Sequence, residues 1–178
     1  MSGIVRFAFL VCLLSVISVR SGFAGSDNLV KNGGFEQGFP DPFSPWGNMG
    51  ACWSTATLDL KTSHSGTASL HIVNTAARAP NDYGTMAQTI AIQPGQRYQI
   101  TLWAKGQMLA SRGAVNIAVD QAWKIRPLAL PAGTFPWQKF TGTFTLAVSS
   151  AVIRIISEDK GEAWIDDISV VPLKDDLY

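Results

Sequence analysis

The chain has only two cysteines, Cys12 and Cys52, among its 178 residues. Cys12 lies in an N-terminal apolar run that we expect to be removed from the mature protein, which leaves Cys52 alone. A single cysteine cannot close an internal disulfide, so the fold does not depend on the bonds that staple many small exported domains. Cys52 is predicted to be a buried thiol, with a disulfide between two chains as the alternative.

Charge of either sign is scarce and is not clustered. The chain carries 14 Lys and Arg against 13 Asp and Glu. Loss of Arg6 and Arg20 with the N-terminal segment would leave 12 basic residues against 13 acidic ones, a net charge of about −1. Binding to nucleic acid or to an anionic membrane surface requires clustered Lys and Arg. The composition therefore argues against both partners.

A long apolar run occurs only near the N-terminus. The run Phe7–Leu14 follows a basic residue, and the small residues of Gly22–Ala24 come after it, which is the pattern that signal peptidase cleaves. We predict a signal peptide over residues 1–24, a single exported domain over 25–173 and a short charged tail over 174–178. The mature protein would be secreted or periplasmic, without insertion in a membrane. An uncleaved anchor is the alternative, although the run is short for a span.

No segment shows a helical period over more than two turns. Instead, apolar and polar residues alternate in short runs that Gly and Pro turns separate, which predicts β-strands. The predicted strands are Thr55–Leu60, Ala68–Asn74, Thr85–Ile92, Arg97–Lys105, Ala114–Gln121, Trp137–Leu146 and Val152–Ser157. Many short antiparallel strands of this kind predict an all-β fold, a jelly-roll β-sandwich of two antiparallel sheets.

Four connections between these strands carry turn signals. Ser63–Gly66 is predicted to be a hairpin turn, and Gln93–Gln96, which contains Pro-Gly, a type II turn. The Pro-rich stretch Pro127–Pro136 is predicted to be a loop or at most an edge strand. Glu158–Glu162 is predicted to be a polar hairpin turn.

The sequence lacks a credible set of catalytic residues. The only histidines are His64, in a predicted turn, and His71, in a predicted strand, so neither indicates a base for a serine nucleophile. No zinc-binding spacing is present, and no pair of carboxylates is clearly placed across a cleft as a glycosidase requires. We therefore predict a protein that is not an enzyme, with a small polysaccharide-active enzyme as the less favoured alternative.

Several short motifs occur in a fixed order along the chain. They are Asn28–Gly38, His64–Leu70, Pro94–Tyr98, Trp103–Lys105, Trp137 and Trp164–Val170. This ordered set resembles the carbohydrate-binding modules of families four, nine and twenty-two, which share the galactose-binding-like β-sandwich. The resemblance extends from Asn28 to Pro172. It implies a polysaccharide or oligosaccharide as the ligand and an aromatic-lined cleft as the site.

The resemblance also implies a structural calcium ion between the start and the end of the domain. Calcium takes carboxylate and carbonyl oxygens as ligands. The implied side-chain ligands are Glu36 and Asp166, with backbone oxygens of Asn32 or Lys61 as weaker candidates. The strand phase changes between Asp166 and Asp167, which predicts a β-bulge there. The alternative is that these carboxylates are ordinary surface charges.

Sugar rings stack their apolar faces on aromatic side chains, so the aromatic residues must be divided between core and ligand contacts. Tyr98 and Phe144 are in phase with aliphatic residues and are predicted to lie in the core. Trp137 and Trp164 match positions that are structural in the modules resembled. Trp46, in the Pro-rich opening loop, is predicted to cap the sandwich.

The remaining aromatic residues are candidate ligand contacts, with Trp123 and Tyr83 as the favoured pair. Trp103, Asn116 and Asp120 each lie opposite the apolar face of their strand, which predicts a shallow polar cleft on the outer face of a sheet. Packing of Trp103 over an edge loop is the alternative. The predicted ligand-binding residues are Trp123, Tyr83, Trp103, Gln121, Asp120, Asn116 and Trp53.

Two functions remain open from the sequence. The first is an exported, non-catalytic polysaccharide-binding protein. The second is an exported interaction or matrix protein that uses the same sandwich to bind other proteins, since one fold serves many functions. Solvent exposure of Trp123 or Tyr83 would favour the first, and burial of both would favour the second.

Overall fold

The structure is a computed structural model that describes residues 28–37, 41–47 and 53–174. These residues form nine strands: β1 Ser54–Asp59, β2 Ser69–Asn74, β3 Gly84–Ala91, β4 Arg97–Leu109, β5 Val115–Ala118, β6 Leu128–Ala129, β7 Gly133–Thr145, β8 Ser150–Ser157 and β9 Gly161–Pro172. No helix long and apolar enough to cross a membrane occurs in the described part of the chain. The predicted signal peptide, Cys52 and the last four residues of the predicted tail lie outside the described residues.

The strands form two antiparallel sheets, which confirms the predicted all-β sandwich. One sheet has five strands in the order β1-β2-β9-β4-β7, and the other has four in the order β3-β8-β5-β6. Alternate residues of each strand point between the sheets, because successive side chains of a strand face opposite ways. The core so formed includes Leu70, Ile100, Ile153, Ile155 and Ile165, all of them fully buried.

Two of the predicted turns are confirmed and a third is wrong. Strands β1 and β2 pair as the predicted hairpin. Gly95 has a φ of 78°, and the N–H of Gln96 donates to the carbonyl of Gln93 (3.2 Å), as the predicted type II turn requires. The prediction of a hairpin at Glu158–Glu162 is wrong, because β8 and β9 lie in different sheets and this turn crosses between them.

The Pro-rich stretch 127–136 contains β6, an edge strand of the four-stranded sheet, as the edge-strand alternative predicted. It also contains the first residues of β7, which begins at Gly133 and therefore starts earlier than the alternating pattern indicated. Strand β7 is itself an edge of the five-stranded sheet, so its Pro136 costs no interior ladder hydrogen bond.

The predicted β-bulge is present at the acidic pair. Thr101 of β4 faces Ser169, but Trp103 faces Asp166, so two residues of β9 stand opposite the single residue Leu102. Asp167 takes a left-handed conformation with φ of 50°. The bulge reverses the side-chain phase at this point and directs both carboxylates toward the connection between β1 and β2.

Candidate functional site

The start and the end of the domain meet, as the sequence predicted. The N–H of Ile168 donates to the carbonyl of Gly33 (2.9 Å), and the N–H of Leu29 donates to the carbonyl of Val170 (2.9 Å). Two acidic residues at this junction, Glu36 and Asp166, bind the connection 60–68 between β1 and β2. We call Glu36, Asp166, Asp167 and residues 64–68 the terminal clasp.

Asp166 is fully buried in the terminal clasp. Its Oδ2 accepts the backbone N–H groups of His64 (2.8 Å) and Ser65 (3.1 Å), and its Oδ1 accepts the N–H of Asp167 (2.7 Å). Burial raises the pKa of Asp166 above its ordinary value, and the N–H donors of Ser65 and His64 oppose that rise. The carboxylate therefore holds the connection 60–68 against β9.

Glu36 is exposed and holds the same connection from the N-terminal side. Its Oε1 accepts the N–H groups of Thr67 (2.9 Å) and Ala68 (3.0 Å), and its Oε2 accepts the Thr67 hydroxyl (2.7 Å). Partial burial raises the pKa of Glu36, but the bonds from Thr67 and Ala68 outweigh it and hold the pKa below its ordinary value. Both carboxylates of the predicted calcium pair thus serve as hydrogen-bond acceptors.

Carboxylate oxygens lie close together at Gly34 in the terminal clasp. Gly34 has no side chain, and a Cβ atom placed there would lie 3.6 Å from Oδ1 of Asp166 and 3.6 Å from Oδ1 of Asp167. Carboxylate oxygens therefore border the space above this glycine. That donor chemistry suits calcium. Within residues 28–37, 41–47 and 53–174, however, no three His, Cys, Asp or Glu side chains are grouped to hold a metal. The clasp closes here through hydrogen bonds.

Trp103 lies on the outer face of the five-stranded sheet, half-buried, and stacks on His64 with 3.7 Å between ring centroids and 13° between planes. The expectation that Trp103 shares a sheet face with Asn116 and Asp120 is wrong. Trp103 belongs to β4, whereas Asn116 belongs to β5 of the other sheet and Asp120 follows β5. Alternation shows which way a side chain points but not which sheet holds its strand.

The aromatic residues predicted to be structural are buried, with the exception of Trp137. Tyr98 and Phe144 stack between the sheets, with 5.5 Å between ring centroids. Trp46 and Trp164 are 5% and 7% exposed. The indole N–H of Trp164 donates to Asp59 Oδ2 (2.8 Å). Trp137 is half-buried on the outer face of the five-stranded sheet, in edge contact with His64.

The two favoured ligand residues, Tyr83 and Trp123, are brought together at the four-stranded sheet. Their ring centroids are 4.8 Å apart at an interplanar angle of 59°, and Tyr83 is 38% exposed. The Arg154 guanidinium lies 4.1 Å from the centroid of the Trp123 ring. Trp123 thus contacts both Tyr83 and a cation, while Tyr83 presents its ring to solvent.

Asp120 shapes the loop that carries Trp123. Its Oδ2 accepts the N–H of Ala122 (3.2 Å) and its Oδ1 accepts the N–H of Ile125 (2.8 Å). Burial raises the pKa of Asp120, but these and neighbouring N–H donors outweigh it and lower the pKa overall. Trp123 takes a left-handed conformation (φ 64°) inside this loop. In the structure, Asp120 positions Trp123 instead of pointing free oxygens at a ligand.

Trp53 joins the same region through the loop before β3. Its indole N–H donates to Asp82 Oδ1, and its side chain is 40% exposed. Asp82 and Tyr83 are adjacent in the chain, so this bond links the start of β1 in one sheet to the loop that carries Tyr83. Three of the predicted aromatic residues therefore lie around one loop.

A cleft of about 470 Å³ opens beside Tyr83, within the usual size range of ligand pockets. We call it the Tyr83 cleft. Its lining residues are Arg78, Ala79, Pro80, Asn81, Asp82, Tyr83, Arg126 and Glu158. Glu158 binds both arginines: its Oε1 accepts from Nη1 of Arg126 (2.7 Å), and its Oε2 lies 3.3 Å from Nη2 of Arg78. Arg126 also donates from Nε to the carbonyl of Trp123 (3.1 Å).

The two predicted amide contacts lie elsewhere. Asn116 is 3% exposed and donates to the carbonyl of Gly113 (3.0 Å), which also accepts from Arg78 (3.1 Å). Its Oδ1 has no hydrogen-bond partner among the described residues. Gln121 is exposed and borders a separate groove with Leu146 and Val152. Of the seven predicted ligand-binding residues, Tyr83 alone lines the Tyr83 cleft.

Sequence reasoning missed the arginines of this region. Arg154 carries a usable signal, because it is the only charged residue in the apolar run Val152–Ser157. A charge in such a strand needs a partner on the outer face of the sheet. Arg78 and Arg126 carry no such signal, since each lies in a polar loop whose position depends on long-range packing.

The described residues thus form a two-sheet antiparallel sandwich, with Tyr83 exposed beside a cleft between loops. The family model described as "Carbohydrate binding domain" (CBM 4/9) matches residues 27–161. The chain therefore belongs to this family of carbohydrate-binding modules, as the ordered motifs predicted.

Comparison with known proteins agrees with this placement. Two solved structures share the fold: the CBM22-1 xylan-binding domain of Paenibacillus barcinonensis Xyn10C and TmCBM61 in complex with β-1,4-galactotriose. The first is 13% identical, with a TM-score of 0.59, over 84% of this chain and 97% of its own. The second is 18% identical, with a TM-score of 0.54, over 83% of this chain and 100% of its own. At these identities the likeness shows the fold alone.

One curated relative is the tRNA(Glu)-specific nuclease WapA of Bacillus subtilis subsp. natto. It is 26% identical over an alignment of 173 positions, which covers 86% of this chain and 7% of the nuclease. The chain thus matches a small part of that protein.

Proposed function

We propose that this protein is an exported, non-catalytic module that binds a polysaccharide or oligosaccharide in the Tyr83 cleft. Membership in the carbohydrate-binding family supports a saccharide partner in general. The observation that carries the proposal of this site is the exposed Tyr83 ring, set against Trp123 beside the donors of Arg78 and Arg126.

The cleft has the chemistry that sugar binding needs. A pyranose ring can lie with its C–H face on the Tyr83 ring, which is rigid and large. The guanidinium groups of Arg78 and Arg126 supply donors at the rim, and Glu158 and Asp82 supply acceptors. A mixed rim of this kind suits hydroxyl groups, which both donate and accept.

The arrangement of the carboxylates supports binding without catalysis. A glycosidase uses one carboxyl group as a general acid and a second as nucleophile or base. Of the two carboxylates that line the Tyr83 cleft, Glu158 is bonded to two guanidinium groups and Asp82 accepts the indole N–H of Trp53. Both carboxylates thus hold parts of the cleft together, so we propose a binding role alone.

A structural calcium ion at the terminal clasp is a separate proposal. It is supported by the carboxylate oxygens of Asp166 and Asp167 beside Gly34, by the Glu36 carboxylate in the same clasp, and by the modules that the chain resembles. The ion would stabilise the junction of the two ends of the domain and would take no part in binding at the Tyr83 cleft.

Affinity electrophoresis tests the proposed function. The mature protein is run through gels that contain soluble glucans, xylans, mannans, galactans or uronate polymers, next to a gel without polysaccharide. We expect retardation by at least one polymer. Absence of retardation by every polymer would contradict the proposal and favour the alternative of an exported protein that binds other proteins.

A further inference from the structure

Arginine is concentrated around the Tyr83 cleft. The described residues contain five arginines, and three of them, Arg78, Arg126 and Arg154, lie at the cleft or beneath Trp123. Arg78 and Arg126 expose 47% and 37% of their side chains, so both reach solvent at the rim. A neutral sugar does not require two exposed guanidinium groups in the same cleft as Tyr83.

The hydrogen bonds of these arginines leave donors unused. Arg126 binds the Trp123 carbonyl through Nε and Glu158 through Nη1, and its Nη2 has no partner among the described residues. Arg78 binds the Gly113 carbonyl and Glu158 through Nη2 alone, so its Nε and Nη1 have no partner in the same part of the chain. Each guanidinium group is held in place by its existing hydrogen bonds, and its remaining N–H groups can donate to a further acceptor.

The acidic residues nearby do not use up this capacity. Glu158 is one carboxylate between two guanidinium groups, so it offsets one positive charge of the two. Asp82 also lines the cleft and offsets the second positive charge, so the formal charge of the lining is zero. Asp82 binds the indole N–H of Trp53 through Oδ1 and has no hydrogen bond to either arginine among the described residues. The spare donors, and not net charge, therefore indicate what the cleft binds.

We propose that the saccharide of the Tyr83 cleft is acidic and that Arg78 and Arg126 bind the carboxylate of a uronic acid residue. This inference rests on the proposed function. A guanidinium group matches a carboxylate in shape and can donate two parallel hydrogen bonds to it. The sugar ring that carries this carboxylate would stack on Tyr83, whose exposed ring lines the same cleft.

The test compares polymers that differ in charge and share a backbone. Binding is measured by affinity electrophoresis and titration calorimetry for polygalacturonate against its methyl-esterified form, β-1,4-mannuronan against β-1,4-mannan, and β-1,4-glucuronan oligosaccharides against cello-oligosaccharides. We expect at least one uronate polymer to bind about tenfold or more tightly than its uncharged counterpart. Added salt should reduce this preference, because the two arginines are at the surface.

Two variants and a matched control assign the preference to the cleft. Arg126→Gln and Arg78→Gln should each weaken uronate binding about tenfold and should weaken binding of the uncharged counterpart by less, because only the uronate loses a charge-assisted hydrogen bond. The ratio of the two affinities should therefore fall in both variants. Arg97→Gln removes the same charge at an exposed position on β4, outside the cleft lining, and should leave both affinities unchanged. Thermal melting of every variant shows whether the fold is intact.

The possible failures are distinguishable. If uncharged polymers bind as tightly as their uronate counterparts, the acidic ligand is excluded and the sugar-binding function stands. If both variants keep the uronate preference, the arginines only connect the loops through Glu158, and the inference is wrong. If no polymer of either kind binds, the proposed function and this inference fall together.

Discussion

The Arg154 guanidinium lies 4.1 Å from the centroid of the Trp123 ring, and its Nη1 donates to the carbonyl of Asp120 (3.3 Å). This one residue of β8 therefore fixes both the ring and the loop that carries it. Tyr83 packs on the same ring, so the exposed aromatic surface of the cleft rests on a buried cation.

Replacement of Arg154 by Met should weaken saccharide binding without unfolding the protein. Met retains an apolar chain in place of the arginine stem but lacks the guanidinium group, so the substitution removes the cation–π contact with Trp123, worth about 0.5–2 kcal/mol. We expect affinity to fall by about three- to tenfold, measured by calorimetry, with Arg154→Lys intermediate. Affinity equal to that of the wild type in Arg154→Met would show that the cation does not position Trp123.

Asp120 should matter through the loop and not through direct contact. Asp120→Ala removes the acceptor for the N–H groups of Ala122 and Ile125, at a cost of about 1–3 kcal/mol in the free energy of unfolding. We expect weaker binding together with faster hydrogen exchange of these two amides. Weaker binding with unchanged exchange would instead indicate that Asp120 touches the ligand.

Asp159 should make a contribution to stability that depends on pH. The Ser111 hydroxyl, with the N–H groups of Lys160 and Arg78, holds the pKa of Asp159 below its ordinary value of 3.8, although burial opposes this. A lowered folded-state pKa stabilises the protein above the unfolded-state value, and the stabilisation is lost as pH falls through the folded-state pKa. In urea unfolding, Asp159→Asn should lose about 1–3 kcal/mol at pH 7. This difference should shrink below about pH 3.8, and a difference that is constant from pH 7 to pH 2 would contradict the assignment.

Calcium, if it binds at the terminal clasp, should raise the melting temperature by mass action. We expect a chelator to lower the melting temperature of the wild type and added calcium to restore it. Glu36→Gln and Asp167→Asn should reduce this dependence while leaving saccharide affinity unchanged. A melting temperature that is insensitive to chelator and to calcium would show that the hydrogen bonds of the clasp suffice.

The fold was largely predictable because its signals are local. Alternation within Arg97–Lys105 identifies a strand, and Pro94-Gly95 identifies the turn before it. The phase change at Asp166 and Asp167 predicted the bulge that the register confirms. These features depend on neighbours in the sequence, so they can be recognised without knowledge of how the sheets assemble.

The candidate site was predictable only in part, because it depends on distant segments. Tyr83 and Trp123 stand out by residue type, and the structure places their rings in contact. The position of Trp103 could not be predicted, since the outward phase is the same whichever sheet holds the strand. His64, which stacks on Trp103, comes from a turn almost forty residues earlier in the chain.

The central claim is that sugar binds on the exposed ring of Tyr83, and calorimetry of two tyrosine variants and one tryptophan variant tests it most directly. The titrant is the polysaccharide that retards the wild type. Tyr83→Ala should lose about thirtyfold or more in affinity, because it removes the stacking surface, whereas Tyr83→Phe and Trp103→Ala should stay within about threefold. Full affinity in Tyr83→Ala combined with loss of binding in Trp103→Ala would contradict the account and place the site on the five-stranded sheet.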